Sequence, residues 1–175
     1  MVSANEFSHV VKLNDIGAGA SNIRLSADAE ARTGLMARFD LAGLDSLDAE
    51  LAVSRDPTGV LAKGRFRATL AQYCVATGDP VPATIDEPVN IRFVPEPVVG
   101  TDAEIELEAD DCDSMFHDGQ IVDLGEAIAQ SLALALDPYP RSPHAKNALK
   151  AAGVVDEESA GPFGALAALK DKMKS

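Results

Sequence analysis

A chain that contains residues 121–144 has to provide an apolar surface for a helix. The stretch reads Ile-Val-Asp-Leu-Gly-Glu-Ala-Ile-Ala-Gln-Ser-Leu-Ala-Leu-Ala-Leu-Asp-Pro-Tyr-Pro-Arg-Ser-Pro-His. Asp123 can accept a hydrogen bond from the free amides of a first helical turn, and Glu126, three residues on, can reach back to the Asp123 amide, an Asp-led capping box. Leu124, Ile128 and Leu132, with Ala127, Ala135 and Leu136, keep to one helical stripe. From Ser131 to Leu136, Leu and Ala fill almost every side, so the second half is expected to be buried nearly all round. Pro138 and Pro140 stop the helix. The rod has about three turns to bury, and the residues before it read as sheet.

The first strand is expected over residues 6–13, on Phe7, Val10, Val11 and Leu13. Gly17-Ala18-Gly19-Ala20 then breaks the chain. It is no dinucleotide fingerprint, because a third glycine is missing and residues 22–25 read as extended. Ser26 is the expected cap of a helix to Phe39, with Ala31, Leu35 and Phe39 on one face and Gly34 weakening it. From Leu47 the period becomes two: Leu47, Ala49, Leu51 and Val53 face one way, Asp48, Glu50 and Ser54 the other. Asp56-Pro57-Thr58-Gly59 turns the chain. Residues 60–76 form the longest strand, with Val60, Ala62, Phe66, Ala68 and Leu70 inward, Lys63, Arg65 and Arg67 outward, and Gly64 marking a bulge or bend. After the turn Thr77-Gly78-Asp79-Pro80, Val89, Ile91 and Phe93 alternate within a strand over 81–94. Short turns between successive strands predict an antiparallel meander.

Charge is distributed unevenly. The chain of 175 residues carries a formal net charge of −13, and no Lys or Arg lies between Arg92 and Arg141. Ile105 and Leu107 alternate with Glu104, Glu106 and Glu108, which predicts a strand with a carboxylate face, and Asp110, Asp111 and Asp113 follow in an acidic loop. General attraction to nucleic-acid phosphate is opposed by this charge, so contact with RNA has to be local or made through a basic protein, and DNA binding is not expected. The chain has no Trp and therefore lacks the largest stacking platform for single-stranded bases. Cys74 and Cys112, with no charged-then-apolar leader and no long apolar run, predict a reducing, cytoplasmic setting without a membrane span.

After the Leu-rich helix, Ser142-Pro143 is the expected start of a short helix to Lys150, ended by Gly153. Residues 1–153 are expected to form one α+β domain. Residues 154–175 read as a linker and a C-terminal amphipathic helix, with Phe163, Leu166 and Leu169 as partner anchors and Lys170, Lys172 and Lys174 near the helix's negative end.

Reactive machinery is not expected. His9, His117, His144, Cys74 and Cys112 form no ligand pair at metal spacing, and residues 102–118 do not match a calcium loop, so no metal or other cofactor is predicted and Cys74 reads as a small strand residue. No nucleophile elbow is present, and among 28 carboxylates proximity of two carries no information, so no catalytic residue is assigned and a hydrolase is the third-placed reading. Lys63, Arg65 and Arg67 form a line roughly 13 Å long, suited to an RNA backbone or an acidic partner. The competing reading is a ladder of salt bridges to Asp48 and Glu50.

Three stretches, in order, resemble the YceD family, proteins described as large ribosomal RNA subunit accumulation proteins. They are Ala71-Gln72-Tyr73-Cys74-Val75-Ala76-Thr77-Gly78-Asp79-Pro80-Val81, continuing to Phe93-Val94-Pro95; the block Asp118-Gly119-Gln120-Ile121-Val122-Asp123-Leu124-Gly125-Glu126 with its helix, Pro138, Pro140 and His144; and Pro162-Phe163-Gly164-Ala165-Leu166-Ala167-Ala168-Leu169-Lys170. Many relatives have Cys-x-x-Cys where this chain has Cys74-Val75-Ala76-Thr77, and the cysteine cluster some carry near residues 141–147 is missing, so metal binding does not carry over. The resemblance implies a cytoplasmic, non-enzymatic factor for synthesis, processing or accumulation of large-subunit ribosomal RNA. The expected fold is an antiparallel, twisted sheet with the Leu-rich helix packed on one face and a helical tail. The expected mode of action is an acidic surface, including Asp110, Asp111 and Asp113, that meets a ribosomal protein or pre-ribosomal particle. Direct RNA binding through Lys63, Arg65 and Arg67 is the alternative.

Overall fold

In a computed structural model of the protein, residues 6–96 and 113–154 are described. The chain divides into two compact units, one of Met1–Gln72 with Pro82–Pro138, the other of Tyr73–Val81 with Tyr139–Ser175. The first is α+β. Its strands are β1 (Val10–Lys12), β2 (Ser21–Ser26), β3 (Leu41–Asp56), β4 (Gly59–Tyr73), β5 (Pro80–Pro95), β6 (Asp113–His117) and β7 (Ile121–Asp123), and its helices are α1 (Ala29–Phe39) and α2 (Leu124–Ala135). In the second unit, α3 spans Ala145–Ala151.

The main sheet has the order β2-β3-β4-β5-β6, and β1 pairs with β7 in a separate two-stranded ribbon. The period-two pattern sets the register. Leu47, Ala49, Leu51 and Val53 of β3 are buried, as are Val60, Ala62, Phe66, Ala68 and Leu70 of β4 and Val89, Ile91 and Phe93 of β5. β3 pairs antiparallel with β4 through the Asp56–Gly59 turn, where the Asp56 carboxylate accepts from the Thr58 amide at 2.8 Å. The meander does not continue to the end. β6 runs parallel to β5, with Ile91 opposite Asp113 and Phe93 opposite Met115. A parallel neighbour needs a connection of about a dozen residues or more to return the chain to its starting end, and residues 96–112 supply that length, so the sheet is mixed.

Other boundaries move for local reasons. Only Val10–Lys12 of the expected first strand pairs, and a 3-10 turn follows at Leu13–Asp15. β3 begins at Leu41 rather than Leu47, with register irregularities between Leu41 and Gly43 and between Leu44 and Ser46. Asp28, not Ser26, caps α1, its carboxylate accepting from the Ala31 amide at 2.8 Å, while the Ser26 hydroxyl donates to Asp48 at 2.6 Å. The helix ends where Asp40 takes a left-handed conformation, φ 51° and ψ 49°, which a short polar side chain tolerates. Gly64 is no bulge: β4 keeps its pairing with Leu51 there, and a Cβ would lie 1.9 Å from the Glu50 carbonyl oxygen, so the residue permits close strand approach.

The Leu-rich helix differs from expectation most. Its first half is the better buried: Leu124, Gly125, Ala127, Ile128, Ala129 and Leu132 are inside. Leu134, by contrast, is 81% exposed. Two residues of helix turn a side chain by roughly 200°, so a helix lying on one sheet face with Leu132 inward must turn Leu134 outward.

Candidate partner-binding surfaces

The non-core face of the main sheet is built by the alternate residues of the same strands. Asp48 and Glu50 of β3 and Lys63, Arg65 and Arg67 of β4 are exposed there. Register puts Arg65 opposite Glu50 and Arg67 opposite Asp48, yet the pairs that form are others. Arg65 and Arg67 both donate to the Asp86 carboxylate on β5, Arg67 at 3.1 Å, and Arg65 also reaches the Asp86 carbonyl at 3.1 Å. Glu50 is held instead by Arg24 of β2 at 3.0 Å, and the Arg92 guanidinium meets Asp56 at 2.9 Å. The expected ladder to Asp48 and Glu50 is therefore replaced by one to Asp86. Two guanidinium groups draw the Asp86 carboxyl below its usual range, and the Thr58 hydroxyl with Arg92 does the same to Asp56. Such exposed pairs are screened by solvent and contribute little to stability, and the one carboxylate offsets one of the two guanidinium charges on the line over 63–67. Among the described residues Lys63 makes no ion pair.

Asp113 opens β6 and is exposed. Asp110, Asp111, the carboxylate strand expected around 104–108, and Phe163, Leu166 and Leu169 lie outside the described residues. Next to Asp113, on the core side of the sheet, a groove of about 340 Å³ is lined by Phe66, Glu87, Val89 and Asp113 with Leu134 and Ala135 of α2. A second open groove, of about 820 Å³, is bounded by Ser8, His9, Arg24, Ser26, Asp28 and Glu30.

The Asp118–Glu126 block is a clamp. Asp118 accepts from the Gln120 and Ile121 amides at 2.8 and 3.0 Å, and Gly119 takes φ 87°, a value that favours glycine. The Asp123 carboxylate caps α2 by accepting from the Glu126 amide at 3.1 Å, and it also accepts from the His9 amide at 2.9 Å and the Ser8 hydroxyl at 2.7 Å. A Cβ on Gly125 would lie 2.6 Å from the Phe7 carbonyl oxygen and 2.7 Å from the His9 nitrogen. Glu126 turns both carboxylate oxygens to Arg38 of α1, at 2.7 and 2.8 Å. That guanidinium holds Glu126 below the usual carboxylate range. The block thus ties the N-terminal segment and α1 to the start of α2.

In the second unit, Cys74 lies one residue past the end of β4 rather than within a strand, and is buried. Its sulfur accepts from the Ser142 amide at 3.3 Å, and the Thr77 and Ser142 hydroxyls are 3.3 Å apart beside it. The Ser142 amide, then the Thr77 side chain, pull the thiol down from 9.0 to about 6, outweighing the cost of burial. Ser142 is consequently not the cap of α3; His144 precedes that helix without a side-chain capping bond. This arrangement presents one sulfur among hydroxyls. Among the described residues no group of three metal-ligating side chains forms, and no helix is long and apolar enough to cross a membrane.

Sequence patterns alone gave no sign of Asp86, Glu87 or Leu134. Asp86 and Glu87 sit in β5 as ordinary charges, and Leu134 in an apolar run that predicts burial. A family model described as large ribosomal RNA subunit accumulation protein YceD matches residues 62–170. No curated protein matches the chain, and no solved structure does.

Proposed function

The chain belongs to the YceD family of large ribosomal RNA subunit accumulation proteins, and we propose from this that it is a non-enzymatic factor in ribosome assembly, holding a cationic protein partner through an acidic surface. The observation that carries the mode of action is the pairing of Arg65 and Arg67 with Asp86. Asp86 engages both guanidinium groups and offsets one of their two charges, and the chain as a whole carries a net charge of −13. A cationic ribosomal protein or a protein-covered particle meets such a surface favourably, and a bare phosphate backbone does not. Phe163, Leu166 and Leu169 provide further apolar anchors, and the site of action is the cytoplasm.

Lys63 favours a second reading, direct RNA contact along the line over 63–67, because it is exposed and makes no ion pair among the described residues. Crosslinking in cells separates the two. Neutralising Asp110, Asp111 and Asp113 is expected to release ribosomal proteins from the recovered complexes and lower large-subunit RNA, whereas Arg65→Glu is expected to leave both near native levels. The opposite pattern would transfer the function to the cationic row.

A further inference from the structure

The groove beside the end of α2 combines three properties that select one kind of occupant. Its lining is partly apolar: Phe66 and Val89 are almost wholly covered, at 1% and 5% exposed, and Leu134 of α2, at 81%, supplies the accessible apolar surface. Its charged lining residues are both anionic, Glu87 and Asp113. Its helix wall carries no basic residue in the last turn, so the partial negative charge of the α2 C-terminus is not offset by a side chain there.

We propose that this groove docks a Lys- or Arg-rich amphipathic segment of a partner protein, which places an aliphatic or aromatic anchor against Leu134 and its cations against Glu87 and Asp113. The inference rests on the acidic-surface reading above and gives it an address. A volume of about 340 Å³ is at the small end of ligand sites, which run roughly 300–1,000 Å³, and suits a side-chain anchor better than a whole small molecule. A second copy of the chain is disfavoured by charge, since each brings the same net −13 to a groove whose charged lining is already negative. RNA is disfavoured for the same reason. Leu134, exposed to 81%, gives a partner an apolar contact, and the charge of Glu87 and Asp113 beside it sets orientation and encounter rate.

The full-length protein is titrated with a fluorescent amphipathic Lys/Leu helical peptide, a scrambled peptide of the same composition and a large-subunit ribosomal RNA fragment, by anisotropy at physiological salt. The amphipathic peptide is expected to bind at least about tenfold tighter than the scrambled one, and Leu134→Asp to weaken it by about tenfold or more. Leu134 is mostly in solvent, so this variant folds; circular dichroism and urea midpoint verify that. Glu87→Lys with Asp113→Lys is expected to weaken binding and flatten its salt dependence. Equal binding of both peptides, or binding unaffected by Leu134→Asp, overturns the groove. If that binding is nevertheless lost on Asp110→Asn with Asp111→Asn, the acidic-surface reading survives without the groove. If the native protein holds the RNA fragment and neither peptide, both fall. A native dimer that Leu134→Asp converts to monomer makes the groove a self-interface and overturns the proposal.

Discussion

Asp123 and Gly125 show how one short block serves several elements at once. Asp123 caps α2 and holds the Ser8 hydroxyl and the His9 amide, and Gly125 leaves room for the backbone of residues 7–9 to cross the first helical turn. Gly125→Ala is therefore expected to destabilise the protein by about 1–3 kcal/mol, as overpacking does, although alanine is the better helix former; a raised urea midpoint would contradict the crossing. Cys74 has a separate signature. In a Cys112→Ser background its thiolate absorbance is expected to titrate near 6, and Thr77→Val to move that midpoint upward. Because the native value lies below the unfolded one, the contribution of Cys74 to stability grows as pH rises from about 6 toward 9.0 and is absent below that window. The sequence shows Cys74 and Thr77 plainly, but Ser142, which donates the strongest of these bonds, comes from a distant turn.

At the scale of elements, α2 separates apolar content from burial. Leu132 and Leu134 are alike in sequence context, yet one is 0% and the other 81% exposed. Leu132→Ala is expected to cost about 2–5 kcal/mol, and Leu134→Ala less than about 0.5 kcal/mol, both read as shifts in urea midpoint. Equal losses would mean that the helix is rotated from the orientation described. The start of this helix was legible because a cap is a local event, with Asp123 three residues before Glu126. Its orientation was not, because Leu and Ala on many sides leave the stripe undefined until a sheet face chooses it. β6 was equally hidden: alternation reports that a strand is half-buried and carries no sign of whether it runs parallel or antiparallel to its neighbour.

The molecule as a whole is held in part by carboxylates that stay ionised in the fold. Glu126, Asp86, Asp56 and Asp118 all lie below their ordinary values, through Arg38, through Arg65 with Arg67, through Thr58 with Arg92, and through backbone amides respectively. A group depressed on folding stabilises the native state above its unfolded pKa and loses that contribution as pH falls through the folded one. Stability is thus expected to be lost progressively below about pH 4. Glu126→Gln is expected to be about 1–3 kcal/mol less stable than native at pH 7 and to approach it at pH 3. A constant gap in urea titrations at the two pH values would show that the Arg38 pair is not the cause.

Sequence alone determined whatever depends on neighbours within a few residues: the period of β3 to β5, the capped start of α2, the turns at Asp56 and Gly78, and the charge imbalance that argues against general phosphate binding. Tertiary structure decided the rest. It chose Asp86 over Asp48 and Glu50 as the partner of Arg65 and Arg67, laid β6 parallel to β5, and turned Leu134 outward beside Glu87 and Asp113. The reason is that a side chain's periodicity is fixed by its own backbone, whereas its partners are fixed by which strands and helices come to lie beside it.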